Sequence, residues 1–123
     1  MPNVTGWKLD PDQRARLLAQ FPPRYAEPVA DHVTLESGVA ADAPLPPRAE
    51  AALVGRADDG GGVEAMVVRL GGTTDRPDGS TFHITWSLAK GRAAKESNAV
   101  IAACGWTELD SPVPLRLIPA RWP

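Results

Sequence analysis

At 123 residues, 43% of them hydrophobic, the chain has enough sequence for one domain with a single core and too little for two. Its formal net charge of −2 excludes a general coat for polyanions, but leaves room for a local basic cleft that takes a nucleotide or an RNA end. It has no long apolar run, so neither a membrane-spanning helix nor a secretory segment near Met1 is expected.

In chain order, residues 1–9 are a lead-in whose Gly6-Trp7-Lys8-Leu9 stretch reads as a brief strand or a hydrophobic anchor. Asp10-Pro11-Asp12-Gln13 predicts a helix start, with Asp10 as N-cap, Pro11 in the first turn and Gln13 closing a capping box. That helix is predicted to reach Phe21, with Leu17, Leu18 and Phe21 on one face, and to stop at Pro22-Pro23. Arg14 and Arg16 are expected on its solvated face.

Asp31 to Glu36 then alternates, with His32, Thr34 and Glu36 on one side of a strand and Val33 and Leu35 on the other. Ser37 to Arg48, with Pro44, Pro46 and Pro47, reads as a loop. Ala51 to Ala57 and Val63 to Leu70 form a predicted hairpin, joined through Asp58-Asp59-Gly60-Gly61-Gly62. A second loop, Gly71 to Ser80, carries Arg76-Pro77-Asp78-Gly79 and leads into the most regular stretch of the chain. There Thr81, His83, Thr85 and Ser87 alternate with Phe82, Ile84, Trp86 and Leu88. A strand face of neutral hydroxyls around one imidazole suits the wall of a polar cleft. Lys90 to Cys104 begins basic and becomes helical, with Ser97, Val100, Ile101 and Cys104 on one face and Gly105 ending it. Cys104, the one cysteine, is expected to fill core, and a chain without disulfides fits a reducing, cytoplasmic setting. Pro112 to Pro119 is the last predicted strand. The expected architecture is one α+β domain over residues 1–123, with antiparallel sheets lining a central cleft and two helices packed outside.

Both histidines of the chain thus occur as His-x-Thr followed by an apolar residue, each on an alternating strand. If the polar faces meet, one site holds two imidazoles and two threonine hydroxyls. His32-Val33-Thr34-Leu35 and His83-Ile84-Thr85-Trp86 resemble the paired signatures of the 2H phosphoesterases. That superfamily includes the bacterial 2′-5′ RNA ligase-like proteins and the cyclic phosphodiesterase domains of fungal and plant tRNA ligases. The resemblance covers two tetrapeptides and the order of the elements around them. The motifs stand closer together than is usual for the family, which implies a compact form of its fold.

The resemblance implies hydrolysis of 2′,3′-cyclic phosphates on RNA 3′ ends or small cyclic nucleotides, with no metal and no cofactor. His32 and His83 would be the acid–base pair, and Thr34 and Thr85 the phosphate donors. The residue types suit this chemistry in their own right. Ring opening needs a water deprotonated on one side of phosphorus and a leaving oxygen protonated on the other, and an imidazole with a pKa near ~6.5 serves either role. Hydroxyls can stabilise charge on the non-bridging oxygens without a metal. Ser87, Tyr25 and Arg92 are further candidate substrate contacts, although Arg92, with Lys90 and Lys95, is also expected at a solvated helix start. Trp86 points to the core by alternation. Of the aromatics Tyr25, Trp7, Trp106 and Trp122, Tyr25 is the preferred base-stacking candidate, because it precedes the first motif.

Three alternatives remain open: a non-catalytic RNA-end or nucleotide-binding module, an interaction domain with structural histidines, and a metal site completed by Asp31 or Glu36. The last leaves the recurring threonine unexplained. The expected partner is an RNA end or nucleotide, without membrane contact, and the chain is expected to act as a monomer.

Overall fold

The computed structural model describes residues 2–123. The strands are β1 (Asn3–Leu9), β2 (Glu27–Pro28), β3 (His32–Val39), β4 (Ala51–Asp58), β5 (Val63–Leu70), β6 (His83–Leu88), β7 (Thr107–Leu115) and β8 (Leu117–Trp122). Two α-helices, α1 (Pro11–Gln20) and α2 (Ser97–Cys104), complete an α+β fold, and a single 3-10 turn at Ala94–Glu96 leads into α2. The strands form two antiparallel sheets, β3-β1-β8 and β2-β6-β5-β4-β7, that do not merge into a closed barrel. Among these elements, no helix is long and apolar enough to cross a membrane.

The lead-in is more than an anchor, since β1 is the central strand of the smaller sheet. Its Trp7 and Leu9, with Val33 of β3, face Leu53, Met66, Val68, Ile84 and Trp86 of the larger sheet across the main core. Each such side chain contributes about 1.5–3 kcal/mol by leaving water. Leu17 of α1 packs on this core, with Leu18 and Phe21 half-buried beside it. The start of α1 is capped as the sequence dictates, Gln13 N–H donating to Asp10 Oδ2 at 2.9 Å. The Gln13 side chain does not close the box. It donates instead to the Pro114 carbonyl at 2.7 Å and accepts from Arg116 N–H, tying α1 to the β7–β8 junction.

The outer face of the larger sheet carries Ala52, Val54, Ala57, Ala65 and Val67, covered by Ile101 of α2, while Val100 packs on Val63 and Leu88. Cys104 does not share that burial: the last turn of α2 is exposed, and the cysteine faces solvent. The predicted loop from Ser37 also begins later, because β3 runs on to Val39, and the predicted last strand is two strands that meet at Arg116.

The chain passes from one sheet to the other four times, and the passage from β2 to β3 is the one that places His32. Val29 N–H donates to Trp86 O at 2.8 Å and Ala30 N–H to Thr85 O at 2.9 Å, continuing the β2–β6 ladder. One residue later, Asp31 O accepts from Leu9 N–H at 2.9 Å, which begins pairing with β1. The crossing sits at Ala30, a buried non-glycine residue with φ 44°, a conformation that costs roughly 1–2 kcal/mol. Arg14 holds it in place. Expected on a solvated helix face, it instead donates to the carbonyls of Val29 (2.9 Å) and of Ala30 itself (3.1 Å).

A second irregularity lies in β6. Glu64 pairs with Ser87 and Ala65 with Thr85, so Trp86 is an extra residue, a β-bulge. It turns Trp86 into the core, where its Nε1 donates to Phe21 O at 2.9 Å. It also breaks the alternation that the sequence shows, so that Ser87 no longer shares a face with His83 and Thr85.

Candidate functional site

His32 opens β3 and His83 opens β6. The segment before β3 runs antiparallel beside β6, Pro28 opposite Ser87 and Ala30 bonded to Thr85, and this register leads His32 toward His83. The two rings, from different sheets, are near enough that positive charge on His32 disfavours protonation of His83. Burial is the main cause of a lowered His83 pKa. The hydrogen bond to the Thr81 carbonyl and the Asp78 charge oppose it, while Arg76 and His32 reinforce it. The neutral form of His83 is thereby favoured.

The tautomers follow from the partners. His83 Nδ1 lies 2.8 Å from Thr81 O, which can only accept, so the proton of the neutral ring sits on Nδ1 and Nε2 carries the lone pair. His32 Nδ1 lies 2.9 Å from Asp31 Oδ2, and Lys8 Nζ donates to the same oxygen at 2.6 Å. Burial works against the charge of Asp31, but the Lys8 and His32 bonds outweigh it and hold the carboxyl below its usual range. The His32 ring also packs on Trp122, centroids 4.7 Å apart and planes at 57°, and Lys8 Nζ stands 4.5 Å from the Trp122 centroid. Lys8, Asp31, His32 and Trp122 form one cluster on the outer side of the smaller sheet.

Sequence reasoning missed most of this cluster. Asp31 adjoins His32 in sequence and could have been read as its orienting carboxylate. Lys8 comes from β1, opposite His32 in the register, and Trp122 from the last residue of β8; neither proximity leaves a mark in the sequence.

The threonines part company. Thr34 is half-buried, two residues along β3 from His32 and on the same side by alternation. Thr85 is buried, its Oγ1 2.8 Å from Ser97 Oγ and donating to Ala94 O at 3.3 Å. Its hydroxyl is thus a tether between β6 and α2 and not a free phosphate donor.

Three other expected contacts are engaged elsewhere. Ser87, behind the bulge, donates to Glu64 Oε1 at 2.7 Å and accepts from Tyr25 N–H at 3.2 Å. Tyr25 donates its hydroxyl to Asp58 Oδ1 at 2.6 Å, a bond that raises its pKa and anchors the half-buried side chain to the end of β4. Arg92 binds Glu96 at 3.1 Å, Asp59 at 2.7 Å and the Gly61 carbonyl at 2.7 Å, clamping the β4–β5 turn to the start of α2. Of the remaining tryptophans, Trp7 is buried with Nε1 donating to Pro47 O at 3.0 Å. Trp106 lies against Gly55, where an added Cβ would come within 2.0 Å of its ring.

A second polar cluster surrounds Glu64, which is fully buried in a β5 otherwise apolar except for the exposed Arg69. Arg56 Nη2 reaches it at 2.7 Å, and Arg24 N–H donates to it at 3.1 Å. Arg24 also pairs with Asp58 at 2.8 Å. Every buried side-chain nitrogen and oxygen among the described residues has a hydrogen-bond partner, and this network fastens residues 22–26 to the sheet. Among the described residues, no group of three or more His, Cys, Asp or Glu side chains is arranged to hold a metal ion.

The chain matches no protein-family model, no curated protein and no solved structure.

Proposed function

We propose that His32 and His83 are the acid–base pair of a metal-independent phosphodiesterase that opens 2′,3′-cyclic phosphates on RNA 3′ ends or nucleotides. The observation that carries this reading is that the two imidazoles of the chain, on strands of different sheets, stand near enough for the charge of one to act on the other, each with Nδ1 beside an oxygen. The paired His-x-Thr motifs support it from the side of sequence.

In this reading, neutral His83 takes a proton from water through Nε2 as the water oxygen bonds to phosphorus. The bond from phosphorus to one ribose oxygen breaks, and His32, as imidazolium, gives that oxygen its Nε2 proton. Asp31 supports the charged His32 and fixes its ring, as a carboxylate does behind a catalytic histidine. Lys8 supplies positive charge beside the developing phosphate charge, and the Thr34 hydroxyl supplies a donor. Thr85 serves by holding β6 against α2.

One observation favours a second reading, a nucleotide- or RNA-end-binding module without turnover: with Thr85 bonded to Ser97, one of the two expected hydroxyl donors is missing. Hydrolysis of a 2′,3′-cyclic nucleotide, followed across pH with and without EDTA, separates the two. The expected result is a chelator-insensitive rate with a bell-shaped pH profile. The acid limb belongs to protonation of the base and the alkaline limb to loss of the acid's proton, both as properties of the coupled pair. His32→Ala and His83→Ala should each abolish turnover while the unfolding midpoint stays similar. Binding without turnover would establish the second reading, and a chelator-sensitive rate would move the site to metal chemistry.

A further inference from the structure

Beside the histidine corner, a cavity of about 530 Å3 opens between the edge of β3 and the β5–β6 loop, lined by Leu35, Glu36, Ser37, Arg76, Pro77 and Asp78. Two links tie it to the histidines. Arg76 lines it and also acts on the charge of His83. Leu35 follows His32 by three residues, about 10 Å along a strand. Gly6 pairs with Thr34 and Thr5 with Glu36, so Leu35 is itself a bulge residue, and the local bend accompanies the turning of β3 toward the loop.

The loop wall is preformed. Arg76 N–H donates to Ser80 O at 2.9 Å, and Asp78 Oδ1 accepts from Arg76 Nε at 3.1 Å and from Ser80 N–H at 2.9 Å. The Arg76 side chain is only 10% exposed, and its charge is matched by Asp78. Glu36 is exposed and, among the described residues, has no cationic partner. The lining therefore carries one carboxylate in excess, two from Glu36 and Asp78 against one guanidinium. Such a cavity disfavours phosphate and suits an uncharged, flat group with N–H donors. Leu35 and Pro77 offer apolar walls, and Glu36 and Ser37 offer acceptors.

We propose that this cavity receives the nucleobase of the substrate, with Glu36 accepting from a base edge that presents two adjacent N–H donors, as guanine does with N1–H and N2–H. The proposal rests on the phosphodiesterase reading for the phosphate's position, and it adds the base class and the residue that selects it. Uracil, with one ring N–H between two carbonyls, sets its own acceptors near the same carboxylate and is disfavoured.

The test is calorimetric titration of guanosine 3′-monophosphate and uridine 3′-monophosphate into the wild type and Glu36→Gln, with backbone amide and histidine ring NMR signals followed in parallel. Inorganic phosphate is the third probe. The expected result is about tenfold tighter binding of the guanosine nucleotide, the size of one charge-assisted hydrogen bond. In Glu36→Gln that preference should fall to within about twofold, with guanosine binding weaker and uridine binding no weaker than in the wild type, and in the wild type amide shifts should cluster at residues 35–37 and 76–78. Equal affinities in the wild type, or an unchanged ratio in the variant, would overturn the proposal. If inorganic phosphate moves the histidine signals but no nucleotide moves those six residues, the base cavity falls and the phosphate site stands. If phosphate leaves the histidines unmoved while the guanosine nucleotide shifts those residues, the phosphodiesterase reading falls and the cavity stands.

Discussion

Replacing Thr85 by Val distinguishes a phosphate donor from a structural tether. The substitution keeps the branched shape and removes a hydroxyl that sits 2.8 Å from Ser97 Oγ and 3.3 Å from Ala94 O. Both partners belong to the segment leading into α2, and Ser97 is fully buried. Leaving a buried hydroxyl without its partner costs about 1–3 kcal/mol, and the low end applies if Ser97 turns its proton to a nearby helix carbonyl. For a domain of this length, about 2 kcal/mol corresponds to an unfolding midpoint lower by roughly 5–12 °C. Turnover of a 2′,3′-cyclic nucleotide, measured well below that midpoint, should stay within about twofold of wild type. Thr34→Val should do the reverse, leaving the midpoint nearly unchanged and lowering turnover by roughly ten- to a thousandfold, as loss of one transition-state donor does. Calorimetric melting and initial rates on the two variants decide it. A Thr85→Val protein with wild-type melting and a hundredfold lower rate would refute the tether, and would put that hydroxyl at the phosphate.

Two further outcomes follow from the charges around the histidines. Asp31→Asn keeps shape but removes the carboxylate that supports charged His32, so the alkaline limb of the pH–rate profile should move to lower pH and turnover should fall by about ten- to a hundredfold; an unchanged profile would take Asp31 out of the site. Its effect on stability should be within about 1 kcal/mol, because the Lys8–Asp31 pair is largely solvated. His83 has a folded-state pKa below its unfolded value near ~6.5, so the unfolded chain binds more protons in acid, and the contribution of neutral His83 is complete above that value and lost as pH falls below it. The wild-type midpoint should therefore drop between pH 7 and pH 5 more than that of His83→Gln, as melting curves across that range will show; parallel curves would mean that His83 protonates freely in the folded state.

Much of the fold was legible because local signals agreed with it. Asp10-Pro11 marks the start of α1, three glycines mark the β4–β5 turn, and period-two alternation marks β3 and β6. What the sequence concealed has a common physical cause. A β-bulge is one residue out of register with a partner strand, and no periodicity within β6 reveals that Trp86 is extra. Ser87 was therefore assigned to the wrong face. Arg14 looked like a solvated arginine because its acceptors, the carbonyls of Val29 and Ala30, exist as a target only once the chain crosses between sheets. Tyr25 and Arg92 were plausible ligand contacts by position in the chain. Their partners Asp58 and Asp59 belong to a turn far away in sequence, and proximity of that kind is set by packing. Lys8 and Trp122 stayed hidden for the same reason.

The candidate site is therefore made by departures from regular strand geometry more than by the strands themselves. A straight continuation of β2 would have kept Asp31 and His32 in the larger sheet, beside β6 and away from Lys8. The positive φ at Ala30 sends the chain across to pair with β1, which brings His32 to Lys8 while leaving it close enough to influence His83. Arg14 holds the two carbonyls at that crossing, so an exposed-looking helix residue bears on where an imidazole stands. The bulge at Trp86 has the opposite effect: it withdraws Ser87 from the polar face and commits it to Glu64. The bulge at Leu35 then bends β3 where Glu36 and Ser37 border the cavity. Each irregularity carries a cost or a gap in pairing, and the first two are held by specific partners: Arg14 at Ala30, Phe21 O and Glu64 at the Trp86 bulge. That coincidence of strain and compensation beside two electrostatically linked imidazoles is the physical reason to look for chemistry at this corner before any other part of the surface.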